Sequence, residues 1–149
     1  MTDDRYPGIA VTASKLRTKS FTLDGEAVVA GADGVAVFNA LHRRGRVVNA
    51  ILQAFDLLEL DGEDLRPLPL GKRKDRLARL LARVRAGIAI NEHTDEDGAV
   101  VFLHACRMGL EGIVSKRLTA PYRSGRSTDW IKVKNPDSPA MVRHREGRW

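Results

Sequence analysis

Cysteine is nearly absent. A single residue, Cys106, in 149 positions rules out a disulfide framework. The histidines His42, His93, His104 and His144 show no metal-ligand spacing with it or with one another. Aromatic residues make up 5% of the chain, too few for a stacking-rich single-strand binder of the RNA-recognition type. No uninterrupted apolar run reaches membrane length, and the first twenty residues open on acids and hold no apolar segment. The expectation is a protein of the cytoplasm, with no membrane partner.

Hydrophobic residues at 43% and charged residues at 30% are globular values, and the length suits one domain with a real core. Lys and Arg number 25 against 19 Asp and Glu, giving a net charge of +6 and a pI near 9.9. Such a balance favours polyanionic partners, nucleic acid or nucleotide first among them.

Apolar Ile9, Ala13 and Leu16 recur at helical spacing after Pro7, predicting a helix that ends near Lys19. Phe21 to Ala30 alternates, with Phe21, Leu23, Ala27 and Val29 on one face and Thr22, Asp24 and Glu26 on the other. The alternation passes through Asp24-Gly25-Glu26 without breaking, so a strand carrying two carboxylates side by side is favoured over an exposed turn. Residues 31–34 then predict a hairpin turn, with a return through 35–37 and a helical turn over 38–44. Ile51 to Leu60 reads as a buried strand ended by Asp61-Gly62, with Phe55 a core aromatic on pattern alone.

Leu77, Leu80, Leu81 and Val84 make an apolar stripe in a helix predicted from Gly71 to Arg85, and Lys72, Arg73, Lys74, Arg76, Arg79, Arg83 and Arg85 fill the rest, a face that is usually just solvated but whose local excess of positive charge also suits a phosphate backbone. A short strand at 88–90 and a helix from Asp97 to about Met108 follow, with His104 and Cys106 as packing residues. The segment Glu111 to Arg117 reads as a strand that starts on a carboxylate and ends on two cations. Alternation groups Glu111 with Ile113 and Ser115 and leaves the orientation of Lys116 open. A Gly- and Ser-bearing loop with Arg123 and Arg126 leads to Trp130-Ile131-Lys132-Val133-Lys134. Period two puts Trp130, Lys132 and Lys134 on a face suited to anions, and Ile131 and Val133 on a face expected to be core. The bland reading of these lysines is a solvated strand.

The ordered set Asp24-Gly25-Glu26, Phe55-Asp56-Leu57-Leu58, Glu111-Gly112-Ile113-Val114-Ser115-Lys116 and Trp130-Ile131-Lys132-Val133-Lys134 resembles motifs III, IIIa, IV and V of the covalent nucleotidyltransferases. The chain is most similar to the adenylation domain of ATP-dependent DNA ligases of the bacterial end-joining type, from Arg5-Tyr6-Pro7 to Met141. The resemblance implies an α+β fold of antiparallel β-sheets with packed helices. This would be a partial, ATP-grasp-like form of the domain shared by DNA ligases and mRNA-capping enzymes, spanning residues 1–136 with 137–149 as a basic tail.

It also implies roles. Glu26 lies near the ribose and the metal-bearing side, and Phe55 stacks on adenine. Glu111 is a hard oxygen ligand for Mg²⁺ or Mn²⁺, with Glu26 a second candidate. Lys132 and Lys134 act on the α-phosphate as the catalytic pair, and Lys116 is a further ATP-binding lysine. Cofactors are then ATP and the divalent metal, and the main partner is DNA, in repair and recombination.

Two departures from the pattern stand out. No Lys-x-Asp-Gly, the family's nucleophile motif, occurs in the sequence, and the thirteen residues 137–149 cannot build an oligonucleotide-binding barrel. The expectation is a chain that starts too late to carry its own nucleophile and is inactive alone, with a separate polypeptide supplying that motif, or other end-joining and repair proteins, as further partners. Rival readings are a non-catalytic nucleic-acid-binding or docking remnant, and an RNA ligase or capping-type transferase.

Overall fold

The computed structural model describes residues 5–29, 47–91, 93–94, 96–125 and 128–138. The hairpin return and helical turn expected within 31–44, together with Arg126, Ser127 and the tail beyond Ser138, lie outside the described residues. The chain divides into two compact units, one of residues 1–92 with 119–122 and the other of 93–118 with 123–149.

In the first unit, helix α1 (Pro7–Lys15) begins with Pro7, whose fixed φ and missing N–H suit a first turn. Strand β1 (Phe21–Val28) runs straight through Asp24-Gly25-Glu26, as the alternation required, and pairs antiparallel with β2 (Ile51–Leu60). The end of β2 turns at Asp61-Gly62, both at positive φ, into the two-residue β3 (Glu63–Asp64). Beyond helix α2 (Leu70–Leu81), strand β4 (Ile88–Ile90) pairs parallel with β2.

Phe21, Leu23 and Ala27 of β1 pack toward a core of Ala54, Leu57, Ile88, Ile9, Leu77 and Leu81, so both helices cover one face of the sheet. Burying a leucine such as Leu77 completely contributes about 1.5–3 kcal/mol. Thr22 and Glu26 stay exposed on the other face.

Helix α2 departs from the sequence pattern in two ways. It ends at Leu81 rather than Arg85, and Val84 reaches the core from the turn beyond it. Arg73, which the pattern assigned to the solvated face, is 0% exposed, because the buried stripe is Leu70, Arg73, Leu77 and Leu81.

In the second unit, helix α3 (Gly98–Arg107) is capped by Asp97, whose carboxylate accepts from the backbone N–H groups of Ala99 and Val100 at 2.9 and 3.4 Å. It precedes an antiparallel pair, β5 (Gly112–Lys116) and β6 (Trp130–Lys134). His104, expected to pack, is exposed; Cys106 is half-buried.

Candidate active site

Asp24-Gly25-Glu26 and Phe55 meet at one irregularity of the β1–β2 ladder. Asp24 stands opposite Asp56 and Gly25 opposite Ala54, so Phe55 is the extra residue of a β-bulge. A bulge kinks the strand and re-aims the side chain it carries, here that of Phe55. Gly25 is needed for the same approach. A Cβ there would lie 2.6 Å from the Gln53 carbonyl oxygen and 3.0 Å from the Ala54 Cα, both backbone atoms that cannot swing aside. Glu26 then pairs in register with Gln53 and projects to the exposed face.

The β5–β6 register settles the orientation of Lys116. Directly opposed residues of an antiparallel pair share a face. Gly112 opposes Lys134, Val114 opposes Lys132, and Lys116 opposes Trp130. Three ammonium groups therefore line one face, and the Lys116 Nζ sits 4.1 Å from the Trp130 ring centroid, a cation–π contact. Gly112, at φ +151°, faces the backbone of Val133 and Lys134 so closely that a Cβ would collide with the Val133 carbonyl oxygen. Glu111 precedes the strand and is exposed, and its carbonyl accepts from the Asn135 N–H at 2.6 Å.

The expectation that Ile131 and Val133 are core is overturned. They are 59% and 39% exposed. Alternation assigns sides to a two-stranded sheet, but coverage depends on what packs against it, and no described element buries that face deeply. Lys132 and Lys134 are exposed as expected.

The site residues fall into two groups. Glu26 and Phe55 belong to the first unit; Glu111, Lys116, Lys132 and Lys134 belong to the second. Among the described residues no cluster of three or more His, Cys, Asp or Glu could hold a metal. Glu26 and Glu111 each present an exposed carboxylate, one in each unit, and a single carboxylate of that kind is a hard oxygen donor of the type Mg²⁺ takes alongside phosphate oxygens and water.

Sequence patterns missed a polar network beside the bulge. Arg73 and Asp56 are both 0% exposed and pair through Nε to Oδ1 at 2.8 Å and Nη2 to Oδ2 at 3.1 Å. Arg73 Nη1 also donates to the carbonyls of Leu68 and Ala120. Tyr122, with its ring centroid 5.9 Å from the Arg73 guanidinium carbon, donates its hydroxyl proton to Asp24 Oδ2 at 2.8 Å. That hydrogen bond, aided by burial, pushes the Tyr122 pKa up to about 12. Burial likewise holds the Lys74 ammonium below its usual value. The available signal was an arginine at a stripe position of α2 and an aspartate inside an apolar strand.

Comparison with known proteins decides the family. A family model described as ATP dependent DNA ligase domain matches residues 2–134. The chain belongs to that family. It is 38% identical over 135 residues to the multifunctional non-homologous end joining protein LigD of Pseudomonas aeruginosa, covering 88% of this chain and 16% of that protein. A probable DNA ligase of Streptomyces coelicolor is 36% identical over 147 residues, with 88% of this chain and 28% of that protein covered. Among solved structures, mycobacterial DNA ligase D complexed with ATP and MES superposes with a TM-score of 0.67 at 36% identity, covering 76% of this chain and 38% of that one. The chain thus spans well under half the length of these ligase relatives, and the α+β fold with antiparallel sheets agrees with theirs.

Proposed function

We propose that this chain supplies the nucleotide-holding part of an ATP-dependent DNA ligase that seals nicks through an enzyme-AMP intermediate. The reaction has three displacements. A lysine amine attacks the α-phosphorus of ATP and expels pyrophosphate; a DNA 5′-phosphate oxygen then takes the AMP and frees the amine. Finally a 3′-hydroxyl attacks that 5′-phosphorus, AMP leaves, and the strand is closed.

The observation that carries this reading is the face shared by Lys116, Lys132 and Lys134, three cations on one small ladder. Lys132 and Lys134 neutralise the charge that grows on the α-phosphate as pyrophosphate departs. Lys116, held against Trp130, adds a third ammonium for the phosphate chain. Phe55, turned by the bulge, offers an apolar ring to the base, and Glu26 offers a carboxylate oxygen to the ribose. Glu111, with Glu26 as the second candidate, would offer a carboxylate oxygen to Mg²⁺, whose chemistry when bound is to offset phosphate charge. The amine comes from a Lys-x-Asp-Gly segment, which this sequence does not contain.

Calorimetric titration with ATP tests the assignment. Binding is expected to be weakened by Lys132→Ala and by Phe55→Ala and to be tighter than for GTP. Equal affinity for ATP and GTP, unchanged in both variants, would contradict it.

A further inference from the structure

The ends of α1 and α2 enclose a groove of about 640 Å³ lined by Lys15, Arg17, Arg79, Arg83 and Arg85 over an apolar floor that includes Leu16, Leu80 and Val84. No acidic residue lines it. None of its five cations is engaged in an ion pair among the described residues. Its two walls are tied together, since Thr12 Oγ1 donates to the Ala86 carbonyl at 2.8 Å.

Cations at a helix C-terminus are often explained by the helix dipole. Here two helix ends supply only about −0.5 charge each, against five full positive charges in the lining. Most of the charge therefore needs another counterpart.

We propose that this groove binds the phosphate backbone of duplex DNA, independently of base sequence and apart from the nucleotide site. The proposal rests on the reading of the chain as a DNA ligase part only in its choice of DNA among polyanions. Ile9 of α1 and Leu77 and Leu81 at the C-terminal half of α2 pack with Leu23 and Ala27, on the side of β1 opposite Thr22 and Glu26. DNA held in the groove is thus a different stretch from any that presents an end to the Glu26 face. The lining offers ammonium and guanidinium donors, which pair with phosphate oxygens whatever the base sequence, and no Asn or Gln of the kind that reads adenine. Contact with up to five phosphates gives a slope of log affinity against log salt of up to about −4.5.

The test uses the whole chain and a short fluorescein-labelled DNA duplex, read by anisotropy at several salt concentrations. One variant carries Arg79→Gln, Arg83→Gln and Arg85→Gln; a control carries Lys19→Gln, Lys72→Gln and Arg107→Gln. All six positions are exposed, and each variant loses the same charge. The groove variant is expected to bind about tenfold or more weakly, with a salt slope shallower by about 3, while the control stays within about threefold of the parent.

Equal loss in the two variants would overturn the proposal in favour of a diffuse field. So would undetectable binding by the parent, or equal competition by polyglutamate of matched charge. ATP titration of the groove variant separates the two readings: ATP binding with groove and control variants alike defeats only the groove. DNA binding through the groove without any ATP binding defeats only the nucleotide site.

Discussion

Asp24 and Asp56 stand directly opposite each other across the β1–β2 ladder, and each carboxylate is turned to a different donor. Like charges in register are destabilising, so the pair persists because Arg73 takes Asp56 and the Tyr122 hydroxyl takes Asp24. Arg73 also lies against the Tyr122 ring, which joins the two halves into one network beside Phe55.

Removing Arg73 should therefore be costly. Arg73→Met leaves Asp56 buried without its cation, and urea unfolding is expected to show a loss of about 3–5 kcal/mol. The double variant Arg73→Met with Asp56→Leu should recover much of that loss. A single variant within about 1 kcal/mol of the parent would mean the pair is not needed to keep Asp56 buried.

Tyr122 gives a pH signature. Its proton is held up to about pH 12 in the folded chain, whereas an unfolded tyrosine loses it near 10. The folded chain thus binds more protons in that interval. The contribution is fully present below about pH 10 and is lost as pH rises toward 12. Tyr122→Phe should be less stable than the parent at pH 9, and the gap should close between about pH 10 and 12 in urea midpoints. A gap that does not vary with pH would contradict the hydrogen bond to Asp24.

The glycines of the two carboxylate motifs should tolerate no side chain. Gly25→Ala and Gly112→Ala drive a methyl group into backbone of the facing strand, and both should lower the thermal midpoint by several degrees, as expected for a loss above about 1 kcal/mol. Gly98→Ala in the first turn of α3 has open space and should be neutral or stabilising by up to about 1 kcal/mol. Equal behaviour of all three would remove the steric argument.

Much of this was legible in the sequence, and the gaps have physical causes. The β1 alternation placed Glu26 on the exposed face because a period of two survives any register. The bulge at Phe55 was invisible, because it exists only in relation to the strand opposite. Periodicity extends α2 to Arg85 because Val84 packs against the core from beyond the helix end as it would from within a helix. Charge alone misassigned Arg73, whose stripe spacing was the better guide. Ile131 and Val133 were misjudged because apolar identity says nothing about whether a covering layer is present.

On the alternation argument Val133→Lys should unfold the strand. At 39% exposure the substitution is instead expected to cost no more than about 1 kcal/mol, like Lys132→Ala and Lys134→Ala. Only the two alanine variants should weaken ATP binding, by about 10- to 100-fold each, the range for a lost charge-assisted hydrogen bond. Thermal unfolding and ATP titration of the three variants would expose an error in either half of this statement.

The most direct test of the nucleotide site is covalent labelling with α-³²P-labelled ATP and Mg²⁺, read by denaturing electrophoresis. Holding an amine in line with the α-phosphorus is worth several powers of ten in effective molarity, so a surface lysine such as Lys15 or Lys19 is a poor substitute for the Lys-x-Asp-Gly nucleophile. The 149-residue chain is expected to remain unlabelled. The same chain joined to a segment carrying Lys-x-Asp-Gly should form an AMP adduct that Lys132→Ala and Lys134→Ala abolish. An adduct on the isolated chain, or an extended chain labelled equally with and without Lys132 and Lys134, would contradict the account.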